Sequence, residues 1–226
     1  MRIDEMEQAF SELVSSFHLV SADEIPDIDL YMDQVTTFME QKLSPYTRDP
    51  EHDKILTKTM INNSAKSSLL VPPVRKKYGT DHMLLLLFIF YMKSFLQISD
   101  IEEILAPVKD RYVAPRDTGK KGAKAEEPKS DITLRQIYTE VAKDIRDDLP
   151  ALAADAQKTF ARSRASFAEA PEEDREILQE FDLLCRLSAE IYLKKLYIER
   201  TLDARKQTSD SSKKTKDAKE EGRQTS

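Results

Sequence analysis

The chain has 226 residues, a hydrophobic fraction of 40% and a net charge of −6, enough apolar material for one sizeable core or two small ones. Its longest apolar run, Met83 to Met92, is about half the roughly 20 residues a bilayer span needs; it reads as a buried core helix, and no membrane partner is expected. Four Gly, ten Pro and long stretches rich in Ala, Leu, Glu, Lys and Arg point to a mostly α fold.

Ile3, Met6, Phe10, Leu13, Val14 and Phe17 recur at helical spacing and predict an amphipathic helix over Arg2 to His18. The opening residues lack the basic-then-apolar order of a secretion signal, which implies a cytoplasmic location. Ser21 to Asp27 interrupts the pattern. Asp29 is placed to cap a second helix carrying Tyr31, Val35, Phe38, Met39 and Leu43 on one face, ended by Ser44-Pro45. Thr47 to Asp53 reads as a polar loop, and Thr57 caps a third helix. At about 100° per residue, Lys58, Thr59, Asn62, Asn63, Lys66 and Ser67 share one half of that helix. Met60, Ile61, Ser64, Ala65 and Ser68 take the other, and Leu69 falls at the fraying end. Pro72-Pro73 stops the helix, and Val74 to Gly79 follows as a short extended piece or hairpin.

Thr80 is then expected to cap an apolar helix from Asp81 to Leu96, and Ser99 with Glu102 to form a capping box opening a helix from Asp100 to Leu105. Ala114 to Ser130 has no apolar periodicity and reads as a flexible linker. Leu134, Ile137, Tyr138, Val141, Ile145 and Leu149 form a helical stripe ended near Pro150, followed by an Ala-rich helix to about Ala168. Pro171 opens a long helix through about Ala204. Within it, Cys185 lies among Leu183, Leu184 and Leu187 and reads as a packed, inert thiol. The Ser/Thr/Lys-rich end from Thr208 to Ser226 reads as a disordered tail. The expected organisation is therefore an N-terminal helix (1–24), a main domain (25–113), a linker (114–130), a C-terminal helical region (131–207) and a tail (208–226).

Charge is unevenly spread. Met1 to Asp53 holds thirteen acids against three bases, a net −10, whereas Lys54 to Thr80 holds six bases and no acid. A basic patch is the footprint of phosphate binding, because neutralising phosphates releases counterions. The alternative is a solvated basic face that pairs with the acidic N-terminal segment. The third helix presents Asn62 and Asn63, which can bond adenine edges, and Lys58 and Lys66, which can reach guanine or phosphate. Arg75, Lys76 and Lys77 follow on the extended piece.

This order of elements resembles the DNA-binding domain of MerR-type winged helix-turn-helix regulators. The recognition helix corresponds to Thr57 to Lys66, the wing to Leu69-Leu70-Val71-Pro72-Pro73 and Arg75-Lys76-Lys77-Tyr78, and the following helix pair includes Phe95 to Leu105. More closely, Leu30 to Val35, Leu56 to Asn63 and Pro73 to Tyr78 resemble a bacterial family known as domain of unknown function 1836, over about Ile25 to Leu105. Ser64 departs from that family, which tends to have an aromatic there.

The resemblance implies a MerR-like winged helix-turn-helix domain followed by helices, binding double-stranded DNA through Lys58, Thr59, Asn62, Asn63, Lys66, Arg75, Lys76, Lys77 and Tyr78. It also implies a homodimer through the C-terminal helices, against which stands packing of Glu172 to Ala204 within its own chain. The function expected is transcriptional regulation, with no small-molecule effector named by any motif. The alternative is a helical protein-interaction module on the same scaffold without DNA binding. Enzymatic chemistry is not expected, because the carboxylate pairs Asp27/Asp29 and Glu102/Glu103 are explained by capping and solvation and the glycines form no phosphate loop. His18, His52 and His82 are too scattered for a metal motif, and no cofactor is implied.

Overall fold

The computed structural model describes residues 2–113 and 130–224, with side chains described through residue 208. The expected linker at 114–130 thus lies almost wholly outside the described residues. The described elements are helices α1 (Ile3–Ser16), α2 (Met32–Leu43), α3 (Lys58–Lys66), α4 (Thr80–Lys93), α5 (Ile98–Tyr112), α6 (Leu134–Ala165) and α7 (Glu172–Gln224), with two strands, β1 (Leu30–Tyr31) and β2 (Lys77–Tyr78). The protein is mostly helical. It divides into two compact units, Met1–Leu184 and Cys185–Ser226.

The first unit is organised around α4. Met83 to Leu87, Ile89 and Phe90 are all buried, as expected for a helix that is apolar on every side, and α4 contacts β2, α5 and α6. The apolar run is therefore a core helix, and no helix among the described residues is long and apolar enough to cross a membrane. Its N-terminal cap differs from expectation. Thr80 is already helical, Gly79 is the cap residue, and the Gly79 N–H donates to His82 Nδ1 at 3.1 Å. A polar histidine is thereby accommodated in the core with Tyr78 edge-on to its ring, 5.3 Å between centroids.

Helix α6 packs against α1, α4 and α5 and is fastened at both ends. Near its start, Arg135 donates to the Ala22 carbonyl at 3.0 Å and pairs with Asp27. Near its end, Arg164 reaches Asp4 at 2.8 Å and Glu7 at 2.6 Å. Between them, Tyr138 donates to the Val20 carbonyl at 2.6 Å while the Val20 N–H donates to Tyr91 Oη at 3.1 Å. That strap of backbone is held from both sides, and burial pushes the Tyr138 hydroxyl well above the usual tyrosine range.

Four expectations about helix ends need correction. Asp29 does not cap α2: Leu30 and Tyr31 are extended, Tyr31 is the cap residue, and its N–H donates to Gln34 Oε1 at 2.9 Å. Pairing with β2 takes Tyr31 off the helix, and its side chain is exposed. Helix α5 begins at Ile98 after Gln97, ahead of the Ser99/Glu102 pair, and runs through Pro107 to Tyr112. Pro150 does not end α6, which is continuous from Leu134 to Ala165. Arg146 and Pro150 are both exposed there, so water can satisfy the carbonyl that loses its donor to proline. Helix α7 continues past Ala204 to Gln224. In the second unit, Cys185 is exposed, not packed, as are Ile191, Tyr192, Leu193 and Tyr197.

Candidate nucleic-acid interface

Helix α3 starts where the sequence demands. Thr57 Oγ1 accepts the Met60 N–H at 3.1 Å, satisfying one of the donors a helix start leaves open. Ile61 and Ser64 are buried, and Ala65 is half-buried. Lys58, Thr59, Asn62, Asn63, Lys66 and Ser67 are all exposed. The two-sided division of the helix is therefore present, with Met60 at its edge, 37% exposed. Ser64 Oγ donates back to the Met60 carbonyl at 2.9 Å, so its hydroxyl is satisfied inside the helix and takes no part in the outer face.

Two positions at the helix end fall elsewhere than expected. Ser68 is outside α3 in the left-handed region, φ 62°, and is exposed, while Leu69 is buried. The reversal lets the Leu70 N–H donate to the Ser64 carbonyl at 2.9 Å, closing the helix end. Lys109 from α5 donates to the Ser68 carbonyl. This cation was not legible as part of the region, since nothing in the periodicity of α5 places it beside Ser68.

Beyond Pro72-Pro73 the chain forms a two-residue hairpin. The Val74 N–H donates to the Lys77 carbonyl at 3.2 Å and the Lys77 N–H to the Val74 carbonyl at 2.9 Å, leaving Arg75-Lys76 as the tip. Both tip residues have positive φ, 52° and 63°, the pattern of a turn that favours Asn-Gly. A residue with a Cβ gives up about 1–2 kcal/mol in that region, and here two long cations occupy it, both exposed. The returning strand pairs antiparallel with β1, Leu30 opposite Tyr78 and Tyr31 opposite Lys77. Helix α2 contacts both α3 and β2, so one element fastens the exposed helix face and the hairpin.

The nine residues singled out in the sequence do not share one environment. Lys58, Thr59, Asn62, Asn63 and Lys66 lie on the α3 face, and Arg75 and Lys76 project at the hairpin tip. Lys77 is half-buried, its ammonium 5.1 Å above the Tyr31 ring. Tyr78 is 3% exposed; burial pushes its hydroxyl above the usual tyrosine range, and it is a core residue that cannot reach a surface ligand. Lys58 also has a partner, Asp33 of α2. Both side chains of that pair are well exposed, a setting worth at most about 1 kcal/mol. Other N-terminal acids are answered away from the basic segment: Glu24 by Lys42, Asp23 and Asp27 by Arg135, Asp4 and Glu7 by Arg164.

Residues 20–121 match the family model described as a domain of unknown function (DUF1836). That span takes in α2, α3, the hairpin, α4 and α5, and it agrees with the resemblance noted above. No curated protein and no solved structure matches the chain.

Proposed function

We propose that residues 25–113 form a MerR-like winged-helix domain that binds double-stranded DNA, and that the protein is a bacterial transcriptional regulator acting in the cytoplasm. One observation carries this reading. An exposed helix face of amides and ammonium groups lies on α3, a two-residue hairpin presents Arg75 and Lys76 at its tip, and α2 contacts the elements that bear both. Asp33 meets this face at Lys58.

In this reading α3 enters the major groove. Asn62 and Asn63 bond adenine edges, while Lys58, Thr59 and Lys66 reach guanine or phosphate. Arg75, Lys76 and Lys77 lie along the flanking backbone, where contacts position the protein without reading sequence. Tyr78 supports the wing from inside. The connection between α2 and α3, residues 44–57, is longer than the 3–4 residues of a tight helix-turn-helix, so this domain keeps a recognition helix and a wing with an extended link between its first two helices. A homodimer through α7, whose Ile191, Tyr192, Leu193 and Tyr197 are exposed, would present two recognition helices about 34 Å apart.

The Lys58–Asp33 pair favours a second reading, a protein-interaction module on the same scaffold that no longer binds DNA. Selection from a randomised duplex library with the purified full-length protein separates them. Enrichment of a palindromic motif is expected of the dimeric regulator, and a library that stays unenriched at low salt would leave the interaction module.

A further inference from the structure

A second site lies away from the α3 face, in a cleft of about 450 Å³ between the end of α1, the Tyr46–Ile55 loop and the C-terminal turn of α4, within the size range of small-molecule sites. Its walls include Phe17 and Tyr46, whose rings meet edge-on at 5.4 Å, and Phe90 and Tyr91, also edge-on at 5.4 Å. Its charged lining is lopsided: Arg48, Lys54 and Lys93 against Asp53. Asp53 keeps its negative charge while its Oδ2 accepts the Asp49 N–H at 3.0 Å, so the three cations outnumber the one acid of the lining.

Lys93 is the central group. Its ammonium donates to the Ile55 carbonyl and lies 5.3 Å from the Phe90 ring centre, and of the three donors an ammonium carries these contacts use one. Burial holds it below the usual lysine range, with Asp53 pulling the other way. A half-buried cation beside aromatic walls gains most from a ligand anion, because the low local dielectric strengthens the pairing while water is displaced from the rings. We infer that this cleft binds a small organic carboxylate with a flat, ring-sized apolar body, its carboxylate held by Lys93 with Lys54 and Arg48 at the rim. The cleft is built from residues separate from those of the DNA-binding reading, so the inference stands or falls independently of it.

Calorimetric titration of the full-length protein tests this with 1-naphthylacetate, its uncharged counterpart 1-naphthylacetamide, and acetate. Saturable binding of naphthylacetate is expected, with the amide at least about tenfold weaker, the ratio that one charge-assisted hydrogen bond supplies, and acetate also at least about tenfold weaker because it lacks the apolar ring that the aromatic walls would bury. Lys93→Met should weaken naphthylacetate by a similar factor. Because Lys93 also holds Ile55, Lys54→Gln, at an exposed rim position, serves as the variant that leaves the fold intact, and it too should weaken binding. Absence of saturable naphthylacetate binding, equal binding by the amide, or binding unchanged in folded Lys54→Gln would each overturn the assignment.

Discussion

At the tip of the hairpin, Arg75 and Lys76 occupy left-handed backbone that asparagine and glycine adopt with less strain. Stability and charge can therefore be varied in opposite directions at one place. The double substitution Arg75→Asn with Lys76→Gly should keep the hairpin and raise the unfolding free energy by about 1 kcal/mol in urea titrations. It should also weaken duplex binding and reduce the slope of log affinity against log salt by roughly 1.8, two phosphate contacts' worth. A gain in stability with unchanged DNA affinity would remove the tip from the interface. On α3, the exposed amide and the exposed ammonium have different expected signatures. Asn62→Ala should cost about 1–3 kcal/mol on the preferred site and relax its sequence preference, whereas Lys66→Ala should weaken all sequences alike. Competition binding on matched and mismatched duplexes distinguishes the two.

At the scale of elements, α3 was legible almost residue by residue. Thr57 is a strong cap, and the polar and apolar halves differ sharply enough for helical spacing alone to orient the helix. The same spacing misplaced Ser68, because the left-handed reversal that ends α3 is driven by burial of Leu69 and Leu70, a tertiary event no local pattern encodes. Tyr31 was misplaced for a related reason: its strand character comes from pairing with Lys77, many residues away in the chain. Tyr78, next to three cations, looked like a surface residue, and the burial that makes it a core residue comes from β2 lying against α4. Proline was over-read at Pro150, which sits inside α6. The caps at α3 are testable by thermal or urea unfolding. Thr57→Ala should cost about 1 kcal/mol, and Ser68→Gly should add about 1 kcal/mol by relieving the left-handed residue; destabilisation by the glycine would contradict the geometry of that helix end.

For the whole molecule, the long-range architecture was the least legible part. The alternative reading of the sequence paired the acidic N-terminal segment with the basic one; Asp33 does meet Lys58, while Arg135 and Arg164 of α6 take up Asp4, Glu7, Asp23 and Asp27. That arrangement leaves the α3 face and hairpin tip exposed while the acids help fasten α6 across the first unit. Val20 is the buried strap of this assembly. Tyr138→Phe removes the donor to its carbonyl and should cost about 1–3 kcal/mol, the penalty for an unsatisfied buried acceptor; an unchanged urea midpoint would show that the contact is not stabilising. Cys185 was expected to be packed because its neighbours are leucines, but it is exposed, as are several large apolar residues of α7 beyond it.

The central claim is that α3 and the hairpin bind duplex DNA, and fluorescence anisotropy of a labelled heterologous duplex with the full-length protein tests it most directly. Binding should be strong at low salt and fall steeply as salt is raised. The double substitution Lys58→Glu with Arg75→Glu should abolish it while circular dichroism shows the fold retained. A folded wild-type protein that fails to hold the duplex at low salt, or binding that survives both reversals of charge, would contradict the account.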